Sequence, residues 1–385
     1  MKLGPAATAA LLAAAAAGCS RPATVEKKPA PVAVPAPLPH SREADDVGRF
    51  LAGLPGNPGS PFTALEDTSA WKEHRKILDA AWKRADEELI QGLADFRREE
   101  LNRPPLDRAP VFYPFSGPDT ITPLVCFPHA PAYVLVALEP SGTLASLKQI
   151  EKKKLPAYLG AMRKTMASIL GRSFFVTREM DREFRGQVTD GLLVPMLQLL
   201  VRTHHTVLGF RYVRLDESGR LVERPASFHT PGPIGNKGFE LEFRDDGDQS
   251  IHRLTYLSVN VSNKRLRDDP AFVTYASTLK GSTALLKATS YMTHKAEFSV
   301  IRGLVINLSG AVLQDDSGIP FHFFEPDKWK VRLYGEYQRP YGSFKWMEQK
   351  DLRAAYTRPG TRPLPVRIGY GYHKVASNLL LAERK

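Results

Sequence analysis

The chain has 385 residues, 43% of them hydrophobic, enough to bury a full core in one large domain or two modest ones. Its formal charge of +12 suits an anionic partner. The basic residues are scattered, however, with Lys152-Lys153-Lys154 the longest cluster and no Arg-rich run interleaved with aromatics, so no nucleic-acid groove is expected.

Met1-Lys2 is a short positive region, and Ala6 to Ala17 is an apolar run too short to span a bilayer comfortably. It ends in Ala16-Ala17-Gly18-Cys19, which resembles a bacterial lipobox. The resemblance implies that residues 1–18 are a lipoprotein signal peptide and that Cys19 carries the lipid; Ala16 stands where Leu is usual. The alternative is an ordinary cleaved signal with a chance Cys. Ser20, rather than Asp, follows Cys19, which in the Gram-negative sorting rule this pattern resembles favours the outer membrane, facing the periplasm or the cell surface. After lipidation Cys126 is the one remaining thiol, so no intrachain disulfide is expected. An exported chain has no ready access to ATP, NAD or S-adenosylmethionine, and no cofactor or metal is expected.

Residues 19–60 are rich in Pro, Ala, Val and Gly and read as a tether, since dense prolines favour extended chain. Residues 61–108 read as a helical segment. Trp71, Leu78, Trp82, Ala85, Leu89, Leu93 and Phe96 recur on one face, Thr68 or Ser69 caps the start, and Pro104-Pro105 stops the end. Ser69-Ala70-Trp71-Lys72 also has the Ser-x-x-Lys form of serine acyl-enzymes, but no Lys-Thr-Gly box follows, and the capping reading is preferred.

From residue 109 to 385 an α/β domain is expected, a mixed sheet with flanking helices. Val111–Phe115, the turn Ser116-Gly117-Pro118-Asp119, a short helix from Ile121 and a strand over Tyr133–Leu138 ending at Glu139 follow the order of a nucleotide-type βαβ unit. The one glycine of that loop, with prolines nearby, argues against a bound nucleotide. Asp119 reads either as a helix cap or as a catalytic acid. Residues 144–171 read as a helix, Phe174–Val176 as a strand, and Leu192–Val201 as a second helix capped by Asp190 or Thr189. Leu208–Glu223 and Phe239–Val259 read as hairpins, the second turning on Asp245-Asp246-Gly247-Asp248, a solvated turn without the calcium-loop pattern. Phe298 to Leu313 carries a helical stripe, and Gln314-Asp315-Asp316-Ser317-Gly318 ends it with turn chemistry. Asp315 or Asp316 with His294, beside Ser317, has the residue types of a base, its orienter and a nucleophile. The structural alternative has both aspartates accepting backbone hydrogen bonds. Val366–Tyr372 and Leu379–Ala382 read as a closing hairpin, and a mostly parallel sheet closed this way suggests a Rossmann-like, methyltransferase-type topology.

The segments YPFSGPD (Tyr113–Asp119), LEPSG (Leu138–Gly142), LSVNVSN (Leu257–Asn263), LKATSYMTH (Leu286–His294), QDDSGIP (Gln314–Pro320) and the LYGEY run to Tyr337 together resemble a family of uncharacterised exported bacterial proteins. That resemblance implies one folded unit and brings no activity. Two functions are therefore expected: a lipid-anchored cell-envelope protein with a binding or structural role toward an anionic polymer or lipid, or a periplasmic hydrolase using Asp119, His294, Asp315, Asp316 and Ser317.

Overall fold

The computed structural model describes residues 37–144, 152–170, 191–225, 235–370 and 377–385. Residues 1–36, including the signal and Cys19, lie outside them, as do the strand expected at Phe174–Val176 and the cap expected at Thr189 or Asp190.

The domain is α/β, built on one ten-stranded mixed sheet. Its strands are β1 (Val111–Pro114), β2 (Ala132–Ala137), β3 (His205–Leu215), β4 (Leu221–Glu223), β5 (Lys237–Asp245), β6 (Ile251–Ser258), β7 (Thr283–Leu286), β8 (Ala311–Gln314), β9 (Trp329–Gly335) and β10 (Asn378–Arg384). They lie in the order β4-β3-β5-β6-β2-β1-β7-β8-β10-β9. The five from β6 to β8 are mutually parallel, and β10 runs antiparallel between β8 and β9. On the other side β5, β3 and β4 continue the sheet as antiparallel ribbons.

Parallel strands covered on both faces read as continuous apolar runs, and the alternation within those runs sorts them. Val111, Tyr113, Tyr133, Leu135, Leu285, Leu313 and Leu381 enter one core layer, with the helices Gln91–Phe96, Ile121–Cys126 and Leu193–Arg202. Phe112, Val134, Val136, Ala284, Leu286, Val312 and Leu380 enter the opposite layer, against the helices Asn263–Asp268, Ala271–Ala276 and Ser299–Leu308. Each fully buried large apolar side chain is worth about 1.5–3 kcal/mol, and both layers are dense with them.

Three sequence expectations shift here. The segment read as tether is folded from residue 37 onward: Arg42–Leu51 is a helix with Ser41 as its cap. Its Val47, Phe50 and Leu51 are buried with Trp71, Leu159 and Met162. Asp45 accepts the Val207 amide at 2.8 Å, tying this helix to β3. Flanking prolines and glycines hid a ten-residue amphipathic helix. The helix read through Leu313 ends at Leu308, and Ser309-Gly310 turns the chain so that Val312 and Leu313 belong to β8. β10 pairs antiparallel with β8 and β9, and residues 366–370 form no strand; Gly371 and Tyr372 lie outside the described residues. The capping reading at Thr68 agrees with the geometry, since its hydroxyl accepts the Trp71 amide at 3.3 Å.

Candidate functional site

The strand order reverses at β1. The chain moves from β1 out to β2 and β6 on one side, then returns to lay β7 and β8 on the other. Crossovers leaving in opposite directions open a crevice at the carboxyl ends of the strands, where open α/β sheets bind ligands. A cavity of about 320 Å³ lies there, at the low end of the usual range for small-molecule sites. Its walls come from four strand ends: Phe115 and Gly117 after β1, Glu139 after β2, Asn260 and Ser262 after β6, and Lys287 to Ser290 after β7.

The β1 loop is built around Asp119. Its carboxylate accepts the Thr122 amide at 3.1 Å, the Thr122 hydroxyl at 2.7 Å and the Tyr113 phenol at 3.1 Å. It also forms a buried ion pair with Lys287, whose ammonium donates to the Thr122 hydroxyl at 2.9 Å. Burial, with Asp119 adding its charge, pushes the Tyr113 phenol well above its ordinary range. Asp119 is thus both the helix cap read from the sequence and the partner of a lysine that the sequence analysis did not single out.

The β7 loop is strained. Ala288, Ser290 and Tyr291 have φ of 52°, 54° and 54°, and across the cavity Phe115 has 64°. Left-handed backbone at non-glycine residues costs of order 1–3 kcal/mol each and persists only where surroundings enforce it. The enforcing element is the Asp315-Asp316-Ser317 turn. The Ala288 amide donates to Asp315 Oδ2 at 2.8 Å, and the Thr289 amide donates to Ser317 Oγ at 2.8 Å. The Tyr291 phenol donates to Asp316 Oδ2 at 2.5 Å, and the Tyr370 phenol accepts the Ser290 amide at 2.8 Å. Ser317 Oγ in turn donates to Asp315 Oδ1 at 2.5 Å, and the Asn378 side chain holds Asp316 twice, its Oδ1 accepting the Asp316 amide at 2.8 Å and its Nδ2 donating to Asp316 Oδ1 at 3.1 Å.

The residues named from the sequence as a catalytic set therefore do not assemble as one. Asp315, Asp316 and Ser317 are buried and committed to backbone and side-chain hydrogen bonds beneath the cavity rather than in its wall. His294 packs edge-on against Tyr291, with ring centroids 5.1 Å apart, and its Nε2 has no hydrogen-bond partner among the described residues. Burial lowers its pKa to about 4, so the ring is neutral. The SGPD and KATSY turns meet around the pocket, and the QDDSG turn braces the second of them. Lys287, Asn260 and Ser262 were missed as individual residues. The signal available was positional: each follows directly, or within a few residues, on an apolar run that ends at the crevice.

Burial, and then the charge of Asp315, raises Asp316 from 3.8 to about 7. Burial raises Asp315 as well. The native state therefore holds a proton that the unfolded chain releases between about pH 4 and 7. Stability from this source is full below about pH 4 and falls as pH rises toward 7, by up to about 1.4 kcal/mol per pH unit for the one proton. Urea midpoints of the wild type should decline from pH 4.5 to 7.5, and Asp316→Asn should flatten that slope. Equal slopes would show that another group carries the dependence.

Among the described residues no group of three His, Cys, Asp or Glu side chains is placed to hold a metal ion. No protein family, curated protein or solved structure matches the chain.

Proposed function

We propose that this chain is a lipid-anchored protein of the cell envelope that binds a small molecule in the crevice between β1, β2, β6 and β7. One observation carries the binding role: a cavity at the topological switch point is rimmed by three non-glycine residues in left-handed conformation, Phe115, Ala288 and Ser290, with a fourth, Tyr291, directly behind them in the chain. Strain of this kind, concentrated at one cavity and enforced by a dedicated buried network, marks a place where shape is maintained against local preference. The strand order from β6 to β9 supports the methyltransferase-type reading of the sheet, with β10 as the inserted antiparallel strand. That likeness is one of topology and brings no activity with it.

The anchor is assigned to Cys19 and the location to the outer membrane, on the Ala-Ala-Gly-Cys-Ser sequence. No helix among the described residues is long and apolar enough to cross a membrane. The exposed Trp346, with 81% of its surface open and Lys345 over its ring at 4.7 Å, supports contact with an anionic lipid or polymer surface. A hydrolase working through Asp119, His294 and Ser317 has less support, because the hydroxyl and the carboxylates are already committed.

The test is a fragment screen by thermal shift on the full chain, run beside Val261→Trp, which places an indole in the cavity. Ligands that stabilise the wild type and not the folded variant support the reading. Fragments that stabilise both equally, or none that stabilise either, would sink it. Palmitate labelling that persists in Cys19→Ala would separately remove the anchor.

A further inference from the structure

Resting on the reading of this cavity as a ligand site, we infer that it takes an uncharged aromatic carbonyl compound. Asn260 and Ser262 hold the carbonyl oxygen, and the ring packs against Phe115 and Phe298.

The loop after β6 supplies the oxygen end. Asn260 lies between Val259 and Val261, and all three line the cavity together with Ser262. Asn260 Oδ1 accepts the Ser262 amide at 3.0 Å, which fixes the side chain. Its Nδ2 donates to nothing among the described residues. Ser262 immediately precedes the helix Asn263–Asp268, where a serine hydroxyl normally accepts an amide of the first turn. Here it makes no such bond. A fixed amide donor and an uncommitted hydroxyl therefore stand two residues apart on one rim of the cavity.

The same loop is tied to the aromatic side. Asn263 Nδ2 donates to the Ala296 carbonyl at 2.8 Å, and its Oδ1 accepts the Val300 amide at 3.0 Å. The segment bearing Phe298 is thereby held beside the two donors. Phe298 meets Phe115 with ring centroids 6.1 Å apart and planes at 64°. Phe115 reaches this position from a left-handed backbone with φ of 64°. Rings that meet edge to face leave a face and an edge for a further ring, the packing that aromatic groups prefer. A saturated ligand would forgo that contact.

Lys287 sets the charge expected of the oxygen. An ammonium has three donors; one goes to Asp119 and one to the Thr122 hydroxyl. Lys287 lines the cavity, so the third is left for a ligand. Because Asp119 already balances its charge, the lysine adds a hydrogen bond rather than an unpaired positive charge. A neutral carbonyl oxygen suits such donors, whereas a carboxylate would be brought up to the fixed charge of Asp119.

The experiment is a titration of the full chain by ligand-observed NMR with acetophenone, ethylbenzene, cyclohexyl methyl ketone and benzoate. Acetophenone should bind at least about fivefold more tightly than ethylbenzene, which keeps the ring and lacks the oxygen; that is the worth of one net hydrogen bond. It should also outbind cyclohexyl methyl ketone, which keeps the oxygen without the flat ring, and benzoate. Asn260→Asp keeps the oxygen that accepts the Ser262 amide and loses the donor, so it should erase the preference for acetophenone over ethylbenzene. Ser262→Ala should reduce that preference, and it carries the test alone if circular dichroism shows Asn260→Asp unfolded. Ethylbenzene, cyclohexyl methyl ketone or benzoate binding the wild type as tightly as acetophenone would overturn the inference. So would a preference that the folded variants leave unchanged. If none of the four probes binds while other fragments still distinguish the wild type from Val261→Trp, the ligand class fails and the binding site stands. If no fragment distinguishes those two proteins, both readings fail.

Discussion

Replacing Lys287 by Met is expected to destabilise the domain by about 3–5 kcal/mol, the usual cost of leaving one partner of a buried ion pair uncompensated. The size follows from the surroundings. Both side chains of the Asp119–Lys287 pair are almost wholly buried, and Lys287 leaves β7 while Asp119 leaves β1, so the pair joins the two strands at the switch point. Without the ammonium, the Asp119 carboxylate faces the Tyr113 phenol and the Cys126 thiol, both already raised by burial. The double variant Asp119→Asn with Lys287→Met should recover much of the loss, because Asn still offers an oxygen to the Thr122 amide. Urea denaturation of the four proteins gives the coupling directly. A single-variant cost under about 1 kcal/mol would mean that solvent reaches the pair.

Asp315→Ala should have a comparable effect by a different route. It removes the acceptor for the Ala288 amide, the Ser317 amide and the Ser317 hydroxyl, all at the base of the strained loop. Each buried donor left unpaired costs about 1–3 kcal/mol, offset in part by relief of a carboxylate that burial disfavours. A net loss of roughly 3 kcal/mol is expected, with a smaller one for Asp315→Asn, which keeps one oxygen acceptor. The local readout is amide exchange: Ala288 and Thr289 should lose protection in Asp315→Ala beyond what the global loss explains. Unchanged protection at those two amides would remove the brace from the account of the site.

Both results bear on what the sequence could show. The α/β class and the parallel centre were legible because VFYP, AYVLVA and TALL are short apolar runs in a chain that alternates them with helical patterns. The SGPD turn was legible as a loop between β1 and a helix. The hairpins at β3–β4 and β5–β6 were marked by Asp and Gly turns. What was not legible was pairing across distance. Lys287 reads as a lone basic residue after a strand, and only the register of β7 beside β1 brings it to Asp119. QDDSG allowed a catalytic reading beside the preferred structural one because catalysis and the bracing of strained backbone recruit the same side chains, carboxylates and hydroxyls at tight turns. The sequence carries those residue types but not the Ala288 and Thr289 amides they serve, because every residue has an amide.

The position of β10 has a consequence for how the molecule is made. Of the ten described strands it is the last in the chain, yet it lies inside the sheet, and its Asn378 holds Asp316 through two hydrogen bonds. Until Asn378–Arg384 arrives, β8 and β9 each present an open edge, and the turn under the cavity lacks a partner. A chain emerging from its amino end first would therefore complete this crevice only when β10 is inserted. Until then, the unfinished intermediate would expose two adhesive strand edges to any neighbour.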